Sequence, residues 1–300
     1  MDEFKVTLVV YSGLPDPVWM VHSRNEKCKE IMELLYNARA QGNTYRHKNI
    51  PAILGFKGFL VHQPGAERAE LILGKETAKL QKLLLDTMPK KLINDDLRKK
   101  IMQAIDSGAV SPNVPDATQH ASDQDTPQVP SKGDKVGVGS KEHYAPKYNP
   151  GRWNDIDVIR THNNCYNYAN QKITNSFAQP GFVEGYEPKM TPEDLIKAAE
   201  LDGLVNMEVD PSEPCPEAPP QPNCLIALMC AEGLDFHFYR LDACGNWSQK
   251  PGQTSVTNKD GDGQPIKDPR KVKTLPLSPP YKFVTFMKIF TNIIDGPLHP

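Results

Sequence analysis

Two side chains far apart in the sequence carry the clearest potential for chemistry: Cys165 in "HNNCYNYANQKIT" and His237 in "LDFHFYRLDA". A thiol attacks a carbonyl as its thiolate. A helix N-terminus and a nearby imidazole both favour that form, and many cysteine hydrolases carry Cys at the head of a helix with His on a later strand. Cys165 opens a stretch that reads as a helix. In a strand, Phe236 and Phe238 would point to the face opposite His237. Asn258 or Asp260, in "VTNKD", is available as the third residue that orients the imidazole. His162 is a second base, but it is too close in sequence for the usual arrangement. Asn163, Asn164 and Asn167 are costly to bury without partners and are placed to donate to an oxyanion. Two other fates compete for Cys165, a buried thiol beside a satisfied polar histidine and one half of a disulfide.

Other spacings carry less. Asn258, Asp260 and Asp262 alternate ahead of Gly263 as at the start of a calcium loop. Pro269 stands where the twelfth-position Glu would be and no helix pattern flanks the stretch, so an Asp-Gly turn competes with calcium binding. "NWSQKPGQT" offers a Trp, a Lys and a Pro-Gly turn, which suits a shallow sugar or peptide surface or a ring packed over a turn. The six cysteines, Cys28, Cys165, Cys215, Cys224, Cys230 and Cys244, lack paired CxxC spacing. Their even number permits disulfides, while the missing CxxC pairs, with no histidines at ligand distance, argue against structural zinc.

The elements that would position these groups fall into two α+β domains, 1–108 and 147–300, joined by a flexible linker at 109–146. The first opens with the alternating strand "FKVTLVVYSG", closed by the turn "GLPDP". A helix follows, with Ser23 and Glu26 at capping-box spacing, Ile31, Leu34, Leu35 and Ala38 on one face, and Gly42 to end it. Two short strands around "GFLVHQPG" and "AELILG", then two amphipathic helices, complete the unit. The linker is rich in Pro, Ser, Asp and Gln and too poor in apolar residues to offset its conformational entropy. In the second domain Thr191 caps a helix with Pro192 at its first position and Gly203 at its end. "NCLIALMCAEG" and "LDFHFYRLDA" form a hairpin, and "YKFVTFMKIF" adds a strand to a mainly antiparallel sheet. With a Cys-bearing helix against that sheet, the arrangement would be papain-like.

With 35 Lys+Arg against 37 Asp+Glu, a formal net charge of −2, nothing steers the chain toward nucleic acid or an anionic membrane. No apolar run approaches the roughly 20 residues of a spanning helix. The start, "MDEFKVTLVVYSG", is acidic and short where a signal peptide would be basic and long, which makes a cytoplasmic location one expectation.

The combination of "RWND", "HNNCYNYAN", "TNSFAQPG", "DFHFYRLD", "WSQKPGQTSVTNKDGDG" and "IKDP", mainly over residues 148–270, resembles the insoluble matrix shell proteins of bivalve molluscs, whose relatives include uncharacterised bacterial proteins. The resemblance implies a secreted protein retained in the organic matrix of a calcified shell. Its expected partners are that matrix or calcium carbonate mineral, and its biochemical activity is undefined. The rival reading is a cysteine-dependent hydrolase or acyltransferase acting on a peptide or matrix polymer. It assigns Cys165 as nucleophile, His237 as base and Asn258 or Asp260 as orienter, with no cofactor beyond a weakly held calcium.

Overall fold

The computed structural model describes residues 3–114, 145–210, 212–220, 224–272, 274, 277, 279–289 and 292–297. Most of the expected linker, 115–144, lies outside the described residues. The architecture is α+β, with two antiparallel sheets and seven described α-helices.

Alternation writes the first sheet. In β1, Glu3–Leu8, the side chains of Phe4, Val6 and Leu8 are buried. The strand pairs with β2, Val18–His22, placing Val6 opposite Trp19, and with β3, Phe59–His62. β3 in turn pairs with β4, Glu70–Ile72, giving the order β2-β1-β3-β4. Helices α1 (Cys28–Ala40), α2 (Ala78–Thr87) and α3 (Asp95–Ser107) contribute Ile31, Leu35, Leu84, Leu97 and Ile101 to the same core. α1 starts at Cys28, several residues after the expected Ser23 cap. The alternating "VWMVH" just before it is drawn into the sheet as β2, and a turn then intervenes.

The second half begins with short helices α4 (Gly151–Asn154), α5 (Asp157–His162) and α6 (Cys165–Ala169). α7, Pro192–Leu201, has the expected Thr191 cap, whose hydroxyl accepts from the Asp194 N–H at 3.3 Å. The sheet runs β5-β9-β6-β7-β8, formed by β5 (Leu204–Asn206), β6 (Cys224–Ala231), β7 (Asp235–Leu241), β8 (Trp247–Gln249) and β9 (Lys282–Ile289). The expected hairpin is β6–β7, and β9 joins β6 as its other neighbour.

Every residue of β6 is buried, and its two faces have different partners. Leu225, Ala227 and Met229 enter the large core shared with the first sheet and its helices. Cys224, Ile226, Leu228 and Cys230 face a second core with Cys165, Tyr166 and Leu195 from α6 and α7. A strand covered on both sides reads as a continuous apolar run, as "CLIALM" does.

Close backbone approach joins the halves. Gly252 has φ of 60°, and a Cβ there would lie 2.7 Å from the Tyr11 carbonyl oxygen. Gly233 has a similar φ of 72°, but a Cβ there would meet nothing within 4 Å. Gly252→Ala is therefore expected to destabilise the protein by about 2 to 4 kcal/mol, and Gly233→Ala by about 1 kcal/mol, the cost of the left-handed backbone alone. Urea unfolding of the two variants checks the difference; equal losses would remove the close approach as a cause.

Candidate functional site

Cys165 begins α6, and Asn164 caps it. The Asn164 carboxamide oxygen accepts from the N–H groups of Tyr166 (3.0 Å) and Asn167 (3.1 Å), while the Asn167 oxygen accepts from Asn164 N–H (3.0 Å). This reciprocal cap fixes the helix start. α6 ends after five residues, and the chain passes through left-handed positions at Gln171, Asn175 and Phe177. The three asparagines are fully committed to this scaffold. The Asn163 amide donates to Ile159 O and Asn175 Oδ1, that of Asn164 to Gly13 O and Ala178 O, and that of Asn167 to Lys172 O and Thr174 Oγ1. None retains an N–H for an oxyanion, contrary to the expectation from their types.

The Cys165 thiol is fully buried, with Sγ 4.0 Å from the Phe236 carbonyl oxygen on β7. His237 is also fully buried, and its hydrogen bond runs to Ser12, whose Oγ lies 2.5 Å from Nδ1. Ser12 also stands near enough to the thiol to oppose the rise in its pKa. A small hydroxyl from the first half of the chain is therefore a neighbour of both Cys165 and His237. Gln249 of β8 is near enough to the imidazole to influence it, and its Nε2 donates to Lys259 O (3.3 Å). Gln249 Oε1 and His237 Nε2 each lack a hydrogen bond of good geometry.

The expected orienters are elsewhere. Asn258 gives its carbonyl to the Ile266 N–H, and Asp260 Oδ1 caps the turn by accepting from the N–H groups of Asp262 (3.0 Å) and Gln264 (2.8 Å). The side chain of His237 bonds neither. No cluster of three or more His, Cys, Asp or Glu suited to a metal ion occurs among the described residues. His162 sits at the end of α5, its Nδ1 2.7 Å from the Thr161 hydroxyl. All six cysteines are free thiols. Cys224 and Cys230, six residues apart on one strand, are separated by about 20 Å.

Around the thiol and imidazole lies an unusual density of buried charge. Asp235 accepts from three successive backbone N–H groups, Ser12 (2.6 Å), Gly13 (3.1 Å) and Leu14 (2.9 Å), and from the Tyr281 hydroxyl. Asp16 accepts from the N–H groups of Val10 and Tyr11, both at 2.8 Å, and from Gln253 (2.7 Å). Lys57 Nζ donates to the carbonyls of Tyr11 (3.1 Å) and Gly55 (3.0 Å), and Lys250 Nζ to those of Arg160, Asn163 and Gly252. Burial, followed by the Asp235 charge, pushes the Cys165 thiol up to about 12. Burial and then Lys57 lower His237 to about 3, against a smaller opposing pull from Gln249. Burial raises Asp235 to about 6 despite its four donors. Near neutral pH the centre holds a neutral thiol and a neutral imidazole.

Sequence reasoning missed Ser12 and Gln249. Ser12 sits in a turn with no periodicity to flag it, whereas Trp247 and the hairpin spacing mark the buried three-residue strand "WSQ" that carries Gln249.

His237 yields a pH prediction. Its pKa is depressed in the folded state from 6.5 to about 3, so the unfolded chain binds the extra proton and stability is lost as pH falls through 6.5. His237→Gln removes that loss. Its destabilisation at pH 7 should therefore shrink toward pH 4, by up to about 1.4 kcal/mol per pH unit. Urea unfolding of both proteins across that range checks it; a constant gap would mean the imidazole is not depressed.

Among the described residues, no helix is long and apolar enough to cross a membrane. No protein-family profile matches the chain, and no solved structure matches it. Insoluble matrix shell protein 1 of Ruditapes philippinarum is 43% identical over 134 residues, which cover 84% of that protein and 44% of this chain. Identity at that level over most of the relative's length shows common descent, and the chain belongs to the insoluble matrix shell protein family.

Proposed function

We propose that the chain is a component of the organic matrix of a calcified shell, held outside the cell and taking part in biomineralisation. The observation that carries this reading is the 43% identity to a shell matrix protein over 84% of that protein's length. Physical chemistry narrows the mode of action. A formal net charge of −2 is far from a strongly acidic balance, which favours residence among the matrix polymers over direct control of crystal growth. The expected outcome is that mass spectrometry of the insoluble residue left by EDTA demineralisation, from the organism that makes the protein, finds its peptides enriched there. Recovery only from soft-tissue cytosol would overturn the reading.

A second reading rests on the Ser12 hydroxyl, which holds the imidazole and neighbours the thiol. With the turn 11–16 withdrawn, His237 Nδ1 would be free to take the Cys165 proton. The thiolate could then attack a peptide or matrix-polymer carbonyl, forming a thioester as the leaving group departs with the proton; water or an acceptor would release the acyl group. In the closed form the raised thiol and lowered imidazole oppose ionisation. Loosening the turn with Asp235→Asn should make Cys165 react with iodoacetamide at neutral pH at least about tenfold faster than exposed Cys244, and adding His237→Gln should abolish that advantage. Equal rates at Cys165 and Cys244 in a folded Asp235→Asn protein would sink the hydrolase reading.

A further inference from the structure

Arg240, on β7, is 3% exposed, and its guanidinium is held from several sides. Nε and Nη2 both donate to Asp242 Oδ1, at 3.0 and 2.6 Å, and Nη2 also donates to the Tyr168 hydroxyl at 2.8 Å. The guanidinium lies over the Tyr168 ring, with Cζ 4.2 Å from its centroid, and Trp153 meets the same ring edge-on at 5.3 Å. A planar group bonded and stacked in this way has little freedom to turn.

One end of this guanidinium is unused. Nη1 makes no hydrogen bond among the described residues, yet it is not one of the polar atoms sealed from solvent without a partner. The little surface that Arg240 keeps therefore includes Nη1, and the opening that Arg240 lines is a pocket of about 210 Å³. Residues of the segment 146–153 and Gln171 line the rest of it. Gln171 is tied back by its Nε2, which donates to the Cys224 sulfur at 3.1 Å. The volume is below the roughly 300 Å³ at which ordinary small-molecule sites begin, so the pocket suits an ion or a single functional group.

The other polar groups of the lining are donors too. Lys147 and Arg152 are exposed, and neither forms an ion pair among the described residues. The Asn149 carboxamide oxygen accepts from the Arg152 N–H at 3.4 Å, which leaves its NH₂ to donate. No Asp or Glu is among the described lining residues. Asp242 answers the charge of Arg240, so the surplus at the pocket is the positive charge of Lys147 and Arg152, which favours an anion. The donors come from two separate stretches, β7 and the segment 147–152, and converge on one small space. A carboxylate offers two oxygens in a plane and a single charge. Sulfate or phosphate offers oxygens disposed tetrahedrally and up to two charges, which matches both the spread of the donors and the surplus.

We propose that this pocket binds a small tetrahedral oxyanion, the sulfate or phosphate group. Arg240 Nη1 is its fixed donor, and Lys147, Arg152 and the Asn149 amide meet its remaining oxygens from the segment 147–152. A rigid, nearly buried guanidinium with one free N–H distinguishes this pocket from a patch of solvated cations. The site depends on neither the shell-matrix reading nor the thiol reading.

NMR titration of the full chain with sodium sulfate and with inorganic phosphate, at neutral pH and with ionic strength held constant by sodium chloride, tests it. A melting scan would not serve, because sulfate stabilises folded proteins generally. The Arg240 Nε–H, buried and bonded to Asp242, reports on its own guanidinium. Its resonance should shift saturably with either ion. The K147A/R152A double variant, altered only at exposed positions, should bind at least about tenfold more weakly, with an unchanged melting temperature in sulfate-free buffer. Acetate should also bind at least about tenfold more weakly than sulfate. Methyl phosphate separates the two sources of such a group: affinity equal to that of inorganic phosphate supports an ester, and affinity at least about tenfold lower supports the free ion. No saturable shift at Arg240, or wild-type affinity in the double variant, would overturn the proposal. Acetate binding as tightly as sulfate would overturn the tetrahedral assignment in favour of a carboxylate.

Discussion

The buried carboxylate of Asp235 is the constraint on which the rest of the structure depends. It stands at the first residue of β7, in the second half of the chain, and receives the backbone N–H groups of Ser12, Gly13 and Leu14 from the first. Tyr281, next to β9, adds a fourth donor. Without this acceptor the turn after β1 would bring three orphan N–H groups into a dry interior, at a cost no packing nearby could offset. With it, the turn is pinned to the second sheet, and Gly13 packs so closely on Phe236 that a Cβ would lie 2.5 Å from its ring. The shared apolar core forms around that join.

The same join decides the chemical state of the thiol. Placing Ser12 against His237 helps to seal the pair from the water that would stabilise a thiolate. Lys57 and Lys250 are near enough to favour a thiolate electrostatically, yet both direct their ammonium groups at backbone carbonyls, and burial lowers the pKa of each. Desolvation prevails over attraction here, as expected where no polar solvent can reorganise around a new charge. Integrity of the fold and reactivity of Cys165 are thus opposed: what seals the two halves together also quiets the sulfur.

The sequence was legible where local signals sufficed. The alternation in β1, the apolar run of β6, the cap and proline that open α7 and the glycine that closes it all depend on neighbours within a few residues. β2 was hidden because its five residues sit between turn signals and gain their identity by pairing with β1. The early start assigned to α1 follows from the same omission. Within the site, the positions of Cys165 and His237 on a helix and a strand were readable from local pattern. Their partners were not: Ser12 arrives from over 150 residues away, and Gln249 comes to the imidazole through the pairing of β7 with β8. Asn258 and Asp260 had the right chemistry, but the Gln249–Thr257 and Trp247–Ile266 bridges fold their segment into a return turn.

Buried charge at this density rarely adds net stability, because each ion gives up more hydration than its partners return. The apolar faces of β1, β3, β6 and β9 supply the favourable free energy, and they would tolerate some sliding of one sheet over the other. The polar groups would not. Asp16 needs Val10 and Tyr11, Asp235 needs residues 12–14, and Lys250 needs the carbonyls of Arg160, Asn163 and Gly252. A shift of one residue would strand several of these at once. Their role in this fold is therefore to fix one docking of the two halves among many that hydrophobic contact alone would allow. The position of Ser12 against the imidazole is a direct consequence of that choice.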